Sequence, residues 1–175
     1  MELANRFNRR IDHLTWTTIR DSMASQPVAP LTEEIAGHFL DLLSRTARLG
    51  MILRRLHELR VLERIIPAMT HARGLLQFNE YHKYTVDEHT LLAIRNCERL
   101  VSSDEPYRQR FSAIADGVPS LELLVLSLLL HDVGKWRDDE NAPESVRMAV
   151  DVLDRLQVTE EARDTVLFLI GNHLR

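Results

Sequence analysis

The stretch LELLVLSLLLHDVGK, residues 121–135, decides the fold that this sequence predicts. Only Glu122 and Ser127 interrupt the apolar residues that precede His131. A helix that is apolar on nearly every side has to be buried on nearly every side. We therefore expect Leu121–Asp132 to be the central, buried helix of the fold, with titratable groups at its carboxyl end.

The rest of the chain predicts further helices around this one. Its 175 residues include only 6 Gly and 6 Pro, and Asp116-Gly117, the one hairpin-type dipeptide, has no β-rich runs beside it. The composition therefore favours an all-α protein. The predicted flanking helices are Met1–Met23, Glu33–Arg48 (capped by Thr32 and ended by Gly50), Met51–Ile66 (stopped by Pro67), Val86–Val101, Tyr107–Ala115, Pro143–Gln157 and Thr159–Leu174.

Charge and cysteine usage narrow the class of protein. The net charge of -4 shows no basic excess that would indicate nucleic acid as a partner. The single cysteine, Cys97, cannot form a disulfide within the chain and fits a reducing compartment. The longest apolar run, Leu123–Leu130, is far shorter than the roughly 20 residues of a membrane helix. We expect a cytoplasmic protein with no nucleic-acid or membrane partner. Nothing in the pattern indicates an oligomeric state.

His131-Asp132 is the first candidate for chemistry. Burying an imidazole and a carboxylate without partners is costly, and a divalent metal would satisfy both groups. The alternative is a helix end whose polar side chains reach solvent, and the dipeptide taken alone favours that alternative. His13, His38, His57 and His71 lie on or beside ordinary helical segments, and we expect them to be structural or exposed.

His89 favours a metal site over a solvent-exposed helix end at His131-Asp132. It follows the capping box Thr85-Val86-Asp87-Glu88, in the first turn of a predicted helix, and two helices can bring it to His131-Asp132 across a shared core. A histidine followed some forty residues later by His-Asp and Val-Gly-Lys resembles the signature of the HD metal-dependent phosphohydrolases. The resemblance implies an all-α HD-domain helical bundle with an N-terminal helical extension. It also implies that His89, His131 and Asp132 are ligands of a divalent metal (Mn, Fe, Mg or Zn).

A narrower resemblance involves three segments in order. The sequences LRRLHELRVLERIIP (residues 53–67), YHKYTVDEHTL (81–91) and LLHDVGK (129–135) are similar to segments of the bacterial PII uridylyltransferase/uridylyl-removing enzymes. In that family the HD domain removes uridylyl groups from a tyrosine of the PII nitrogen-signal protein and releases UMP. The nucleotidyltransferase and glutamine-sensing ACT domains of the family are not visible here. The resemblance implies a helical segment over residues 1–78 and an HD domain over residues 79–175.

The sequence departs from the family in three places. WRDDENAPES, residues 136–145, stands where the family has Gly-Gly-Asp-His, which puts a second metal in doubt. Asn172-His173-Leu174 retains one histidine of the family's His-His-Leu. The last helix has no stop signal, and the closing aspartate of the superfamily would lie beyond Arg175. We therefore expect the HD domain to be truncated at its C-terminus.

The resemblance also suggests roles for four further residues. Lys135 would pair with a substrate phosphate, or would be a lysine stabilised by the helix dipole. Asp87 would accept a hydrogen bond from a ligand histidine, or would be an ordinary first-turn acid. His82 would contact phosphate or support the site, and His173 would be a second-metal ligand. The capping box by itself explains Glu88.

Three functional hypotheses follow. The first is a metal-dependent phosphodiester hydrolase that releases UMP from a uridylylated PII-type protein, with the PII protein or another nucleotide phosphodiester as its partner. The second is a degenerate HD domain that binds a regulator or partner without catalysis, which the missing Gly-Gly-Asp-His motivates. The third is an HD hydrolase that acts on a free nucleotide.

Overall fold

The computed structural model describes residues 12–45, 48–76, 84–102, 117–137 and 141–174. Within these ranges the regular secondary structure is entirely helical, which confirms the all-α prediction. The helices are α1 (His13–Ser25), α2 (Glu33–Leu43), α3 (Leu49–Glu58), α4 (Leu62–Ile65), α5 (Met69–Ala72), α6 (Val86–Ser102), α7 (Leu121–Leu130), α8 (Asn141–Arg155) and α9 (Glu160–Asn172).

Helix α7 is the centre of the bundle, as its composition predicts. It packs against α2, α6, α8 and α9. Val125, Leu126, Leu129 and Leu130 are at most 1% exposed. Burying a leucine of this kind contributes about 1.5–3 kcal/mol relative to leaving it in water. This packing fixes the position of the turn at residues 131–136, which follows α7 directly.

Local capping signals locate several helix starts correctly. The Thr32 side chain accepts a hydrogen bond from the Ile35 backbone N–H at 3.3 Å, and Thr159 does the same for Ala162 at 3.3 Å. Helix α6 begins at Val86, where the capping box predicts it. A side-chain oxygen satisfies a backbone donor that has no partner inside the helix, which is why these residues begin helices.

The predicted end of the second helix at Gly50 is wrong. Helix α2 already ends at Leu43, and Gly50 lies inside α3. The reason is a contact with α6, because the backbone N–H groups of Leu49 and Gly50 donate to the Glu98 carboxylate at 2.9 and 3.0 Å. A Cβ at Gly50 would lie 3.1 Å from the Arg95 Cβ. Glycine here allows two helices to approach closely.

The single helix predicted over Met51–Ile66 is interrupted. Helix α3 ends at Glu58 and α4 begins at Leu62. Arg60 lies between them at φ 63°, in the left-handed region that ends a helix. Pro67 follows α4, close to the predicted stop.

Three predicted helices fall wholly or partly outside the described ranges, among them Glu33–Arg48, of which residues 46 and 47 are not described. The described part of the predicted helix Met1–Met23 is α1, where the Asp12 side chain accepts from the Thr15 N–H at 3.0 Å. Residues 1–11 and the predicted helix Tyr107–Ala115 lie outside the described residues. Among the helices that are described, none is both long and apolar enough to cross a membrane.

Candidate metal centre

Three segments that are distant in sequence meet at the carboxyl end of α7. His131 and Asp132 follow that helix directly, His89 lies in the first turn of α6, and His173 follows the last residue of α9. Helix α7 packs against both α6 and α9. The bundle therefore brings together all four residues that the sequence proposes as metal ligands.

The Asp132 carboxylate lies at the middle of this cluster and is 2% exposed. Its Oδ2 lies 3.1 Å from His131 Nε2 and 3.8 Å from His89 Nε2. Its Oδ1 lies 3.5 Å from His173 Nε2. One ligand atom each from His89, His131 and Asp132 lies within 4.8 Å of the others, a spacing that could hold a metal ion.

Backbone contacts orient two of the imidazoles. His131 Nδ1 lies 2.8 Å from the Leu128 carbonyl oxygen, and His173 Nδ1 lies 2.6 Å from the Ile170 carbonyl oxygen. A carbonyl can only accept, so the hydrogen-bond network assigns the proton to Nδ1 in both rings. In the neutral ring Nε2 then bears the lone pair, and both Nε2 atoms face Asp132. This is the tautomer that a metal-binding histidine needs.

The cluster fits a divalent cation. His173 Nε2 is buried and makes no hydrogen bond to any described residue. A nitrogen lone pair beside a carboxylate oxygen is repelled unless a cation lies between them. Two or three imidazole nitrogens with one carboxylate oxygen form a donor set that suits Zn, Fe or Mn. His89, His131, Asp132 and His173 are therefore the residues that would hold such an ion.

Lys135 places a positive charge beside the cluster. Its Nζ donates to Asp132 Oδ2 at 2.7 Å, and its side chain is 13% exposed. The ammonium group thus lies at the edge of the cluster and faces the same cavity. Both roles proposed for Lys135 from the sequence place it at this position, and its contact with a phosphate stays a prediction.

A cavity of about 600 Å³ opens onto the cluster. Its lining includes His89, His131, Asp132, Lys135 and His173. The rest of the lining consists of apolar side chains from α6, α7, α9 and the residue Leu174, together with Ser127 and Asn172. Cavities of about 300–1,000 Å³ are typical of small-molecule sites. The cluster is thus accessible to a ligand the size of a nucleotide.

Asp87 lies in a different environment, behind the first turn of α6. It is 6% exposed, and its Oδ2 accepts hydrogen bonds from His57 Nε2 at 2.9 Å and from the Gly74 N–H at 3.1 Å. Its Oδ1 accepts from the Glu88 N–H at 3.0 Å. Burial by itself raises the pKa of Asp87, but the hydrogen bonds from His57, Thr85 and Gly74 outweigh it and lower that pKa well below its ordinary value. The histidine that donates to Asp87 in these contacts is His57. Hydrogen bonding of Asp87 to a ligand histidine stays a prediction.

His57 belongs to a buried polar network that the sequence does not reveal. Arg73 donates to the Glu63 carboxylate and to the His57 carbonyl, and its guanidinium lies 3.0 Å from His57 Nδ1. The Arg73 nitrogen can only donate, so His57 Nδ1 accepts and His57 Nε2 bears the proton given to Asp87. Thirty residues separate His57 from Asp87 along the chain, and no local motif joins them.

The contacts described for Glu88 differ from the capping interpretation. Its two carboxylate oxygens accept from the Arg54 guanidinium at 2.7 and 2.8 Å. This bidentate pair joins α3 to α6, and it raises the pKa of Arg54. The Arg54 side chain therefore pairs with a residue of α6. His82, the remaining proposed site residue, lies outside the described residues.

Several known proteins are similar in sequence to this chain. No family model matches the chain. The chain is 36% identical over 140 residues to the bifunctional uridylyltransferase/uridylyl-removing enzyme of Cereibacter sphaeroides, which covers 78% of the chain and 15% of that enzyme. The chain is a homologue of these enzymes.

Two further relatives give the same result. The enzymes of the same name from Ruegeria pomeroyi and Rhodospirillum rubrum are 36% identical over 138 residues and 35% identical over 139 residues. Each match again covers 78% of the chain. The chain spans about 15% of the length of these curated relatives. The resemblance found from the three sequence segments is thus confirmed as homology to these enzymes.

Proposed function

We propose that this chain is an HD-type, metal-dependent phosphohydrolase domain that removes uridylyl groups from a PII-type protein and releases UMP. The observation behind the proposal is the convergence of His89, His131 and Asp132 on one point at the end of α7. The relatives are named for uridylyl removal as well as for uridylyl transfer. We assign the hydrolytic domain to residues 79–175, with residues 1–78 leading into it, in a cytoplasmic protein.

His89, His131 and Asp132 would hold the metal, and His173 would complete its ligand set. When bound, a divalent metal ion neutralises phosphate charge and lowers the pKa of water, which is the chemistry that phosphodiester hydrolysis requires at neutral pH. The backbone carbonyls of Leu128 and Ile170 keep two of the imidazoles oriented for this purpose.

The other residues of the site bind and orient the substrate. Lys135 would neutralise a nonbridging phosphate oxygen as a point charge. In the reaction the P–O bond to the tyrosine breaks, water adds to phosphorus, and the phenolate oxygen takes up a proton. We propose supporting roles for Asp87, in the first turn of α6, and for His82, four residues before that helix begins.

A second candidate function is a non-catalytic HD module that binds a regulator or partner. One contact favours it: the Lys135 ammonium already lies 2.7 Å from Asp132 Oδ2 and supplies a positive charge to the carboxylate. The Gly-Gly-Asp-His of the resembled family is also replaced in residues 136–145. In such a module Lys135 would stabilise the cluster in the place of a metal.

Metal content and hydrolysis together test the proposal. The chain is loaded with Mn²⁺, its metal content is measured by mass spectrometry, and it is assayed with the p-nitrophenyl ester of UMP, an aryl phosphodiester like uridylyl-tyrosine. Asp132→Asn removes the central charge with little change in shape. The matched control is Asp164→Asn, the same change at an exposed acid of α9.

We expect bound Mn²⁺ and release of p-nitrophenol in the wild type and in Asp164→Asn, and neither in Asp132→Asn. A wild type that neither retains Mn²⁺ nor hydrolyses this ester or a panel of free nucleotides would support the non-catalytic module. Hydrolysis that is unchanged in Asp132→Asn would refute the assigned site.

A further inference from the structure

The cavity at the metal cluster has a second, apolar half that the proposed chemistry does not use. Seven of the residues that line the cavity are polar: the four proposed metal ligands, Lys135, Ser127 and Asn172. The other lining residues are apolar: Ala93 of α6, Leu124 and Leu128 of α7, Phe168 and Leu169 of α9, and Leu174 just after α9. Phosphate binding and hydrolysis do not require an apolar wall of this extent. It indicates that the ligand has an apolar part.

Phe168 is the aromatic member of this wall and is unusually accessible. It is 68% exposed, although it lies in α9, a helix that packs closely on α7 and α8. It lies one helical turn before Asn172, whose side-chain amide donates to the Phe168 carbonyl at 2.8 Å. The backbone at this position is therefore held in a regular helix while the ring remains open to the cavity. An exposed ring at the mouth of a ligand-sized cavity is suited to stacking on a planar group.

The position of Phe168 along α9 limits which planar group it meets. It precedes His173 by five residues, and a rise of 1.5 Å per residue places the two about 7.5 Å apart along the helix axis. The side chains of both residues lean toward the N-terminus of the helix, so their rings keep about this separation along the axis. An aryl ring attached directly to the ester oxygen would stay next to the phosphate. A nucleobase has a whole pentose between it and the phosphate, so it matches the longer separation.

We propose that the apolar half of the cavity is a nucleobase subsite, with Phe168 as its stacking platform and Leu124 and Leu128 as the facing wall. The inference rests on the proposed function, because it takes the phosphate to lie in the cavity beside Lys135 and the metal cluster. The substrate class it names is the 5′-nucleotidyl group, held by its base as well as by its phosphate. Because every base has a π-face, stacking alone gives affinity without strong selection among bases.

Equilibrium binding tests this without relying on catalysis. UMP and ribose 5-phosphate, which differ by the base alone, are titrated calorimetrically into the full chain with Mn²⁺ present. The variants are Phe168→Ala, Phe168→Leu and Phe168→Trp. Because Phe168 is exposed, these changes should leave the fold intact. The matched control is Ile35→Ala, which truncates an exposed apolar residue of α2.

We expect the wild type and Ile35→Ala to bind UMP at least about fivefold more tightly than ribose 5-phosphate, the lower end of what base–aromatic stacking provides. Phe168→Ala and Phe168→Leu should lose most of this preference, and Phe168→Trp should keep it. Equal binding of the two ligands by the wild type, or no binding of either, would overturn the proposal. A preference that survives in Phe168→Ala would also overturn it.

A second ligand pair separates the two aromatic parts of the substrate. Phenyl phosphate and methyl phosphate report on a ring next to the phosphate. If Phe168 governs the preference within this pair but not the preference for UMP, the subsite belongs to the leaving group and the nucleobase assignment is wrong. The hydrolysis assay is run on the same preparations. A UMP preference that depends on Phe168 without hydrolysis refutes the proposed function alone, and hydrolysis without that preference refutes the subsite alone.

Discussion

Replacing Asp87 by Asn should destabilise the fold substantially, because no amide can satisfy the same donors. Asp87 Oδ2 accepts from His57 Nε2 and from the Gly74 N–H, and Oδ1 accepts from the Glu88 N–H. The amide of Asn offers one acceptor oxygen and places an NH₂ group in the other position. The least costly arrangement keeps the oxygen toward His57 and Gly74. It leaves the Glu88 N–H facing another donor.

The contacts give the magnitude. A hydrogen bond to a charged acceptor is worth about 1.5–3 kcal/mol and a neutral one about 0.5–1.5 kcal/mol, so each of the two bonds at Oδ2 loses about 1 kcal/mol. The unsatisfied N–H of Glu88 adds about 1 kcal/mol or more. Loss of a negative charge from the first turn of α6 adds about 0.3–1 kcal/mol. Together these contributions lower the expected free energy of unfolding by about 3–4 kcal/mol.

The assay is urea unfolding followed by circular dichroism, with Asp164→Asn as the exposed control. With a slope of about 2 kcal/mol per molar urea, the midpoint should fall by about 1.5–2 M in Asp87→Asn. The control should stay within about 0.5 kcal/mol of the wild type. A midpoint for Asp87→Asn that matches the control would refute the reasoning.

The pH dependence supplies an independent check. Because the pKa of Asp87 is lowered in the folded protein, the unfolded chain binds this proton more readily. The stabilisation from the carboxylate is therefore complete above the unfolded pKa of about 4 and is lost as the pH falls through the folded pKa. The difference between wild type and Asp87→Asn should be the same at about pH 5 and pH 7, and it should narrow below about pH 4. A difference that widens in acid would contradict this assignment.

Two further predictions concern the site and the helix contacts. Lys135→Gln should raise KM for the UMP ester about tenfold, because it removes a positive charge that binds phosphate. The Mn²⁺ content should not fall, because the lost ammonium group lies 2.7 Å from Asp132 and repels a bound cation. A lower Mn²⁺ content would show instead that Lys135 supports the cluster. Gly50→Ala and Gly37→Ala should change the free energy of unfolding in opposite directions, as measured by urea unfolding. A Cβ at Gly50 would lie 3.1 Å from the Arg95 Cβ, so alanine there should destabilise the fold by about 1 kcal/mol. No heavy atom lies within 4 Å of a Cβ at Gly37, so alanine there should stabilise the fold by about 0.5–1 kcal/mol. Equal shifts in the two variants would show that α3 and α6 do not make close contact at Gly50.

Residues adjacent in sequence account for most of what could be predicted about the fold. The burial of α7 followed from its nearly uninterrupted leucines, and the starts of α2 and α6 followed from Thr32 and from the capping box at residues 85–88. Helix ends were harder to predict. Gly50 was expected to stop a helix and instead lies within one, because a contact with α6 forty-five residues away requires the missing side chain.

The same distinction applies to the candidate site. The order of His89, His131 and Asp132 in the sequence was enough to nominate them, and the fold brings their ligand atoms together. Sequence could not show that the Leu128 carbonyl fixes the His131 ring with its Nε2 facing Asp132. That orientation depends on the backbone path of the turn.

The sequence by itself determined the helical class and the buried central helix, because these depend on composition and on spacing within one or two turns. It nominated the metal ligands through the resemblance of His89 and His131-Asp132 to a family signature. Only the tertiary structure decided which distant residues pair: Arg54 with Glu88, and His57 with Asp87. Each of these pairs joins α3 to α6 across 30 or more residues. Such pairs form only after helix packing has fixed the distance and orientation of both side chains. A charged residue has many possible partners in the sequence, and the packed bundle brings only a few of them within hydrogen-bonding distance.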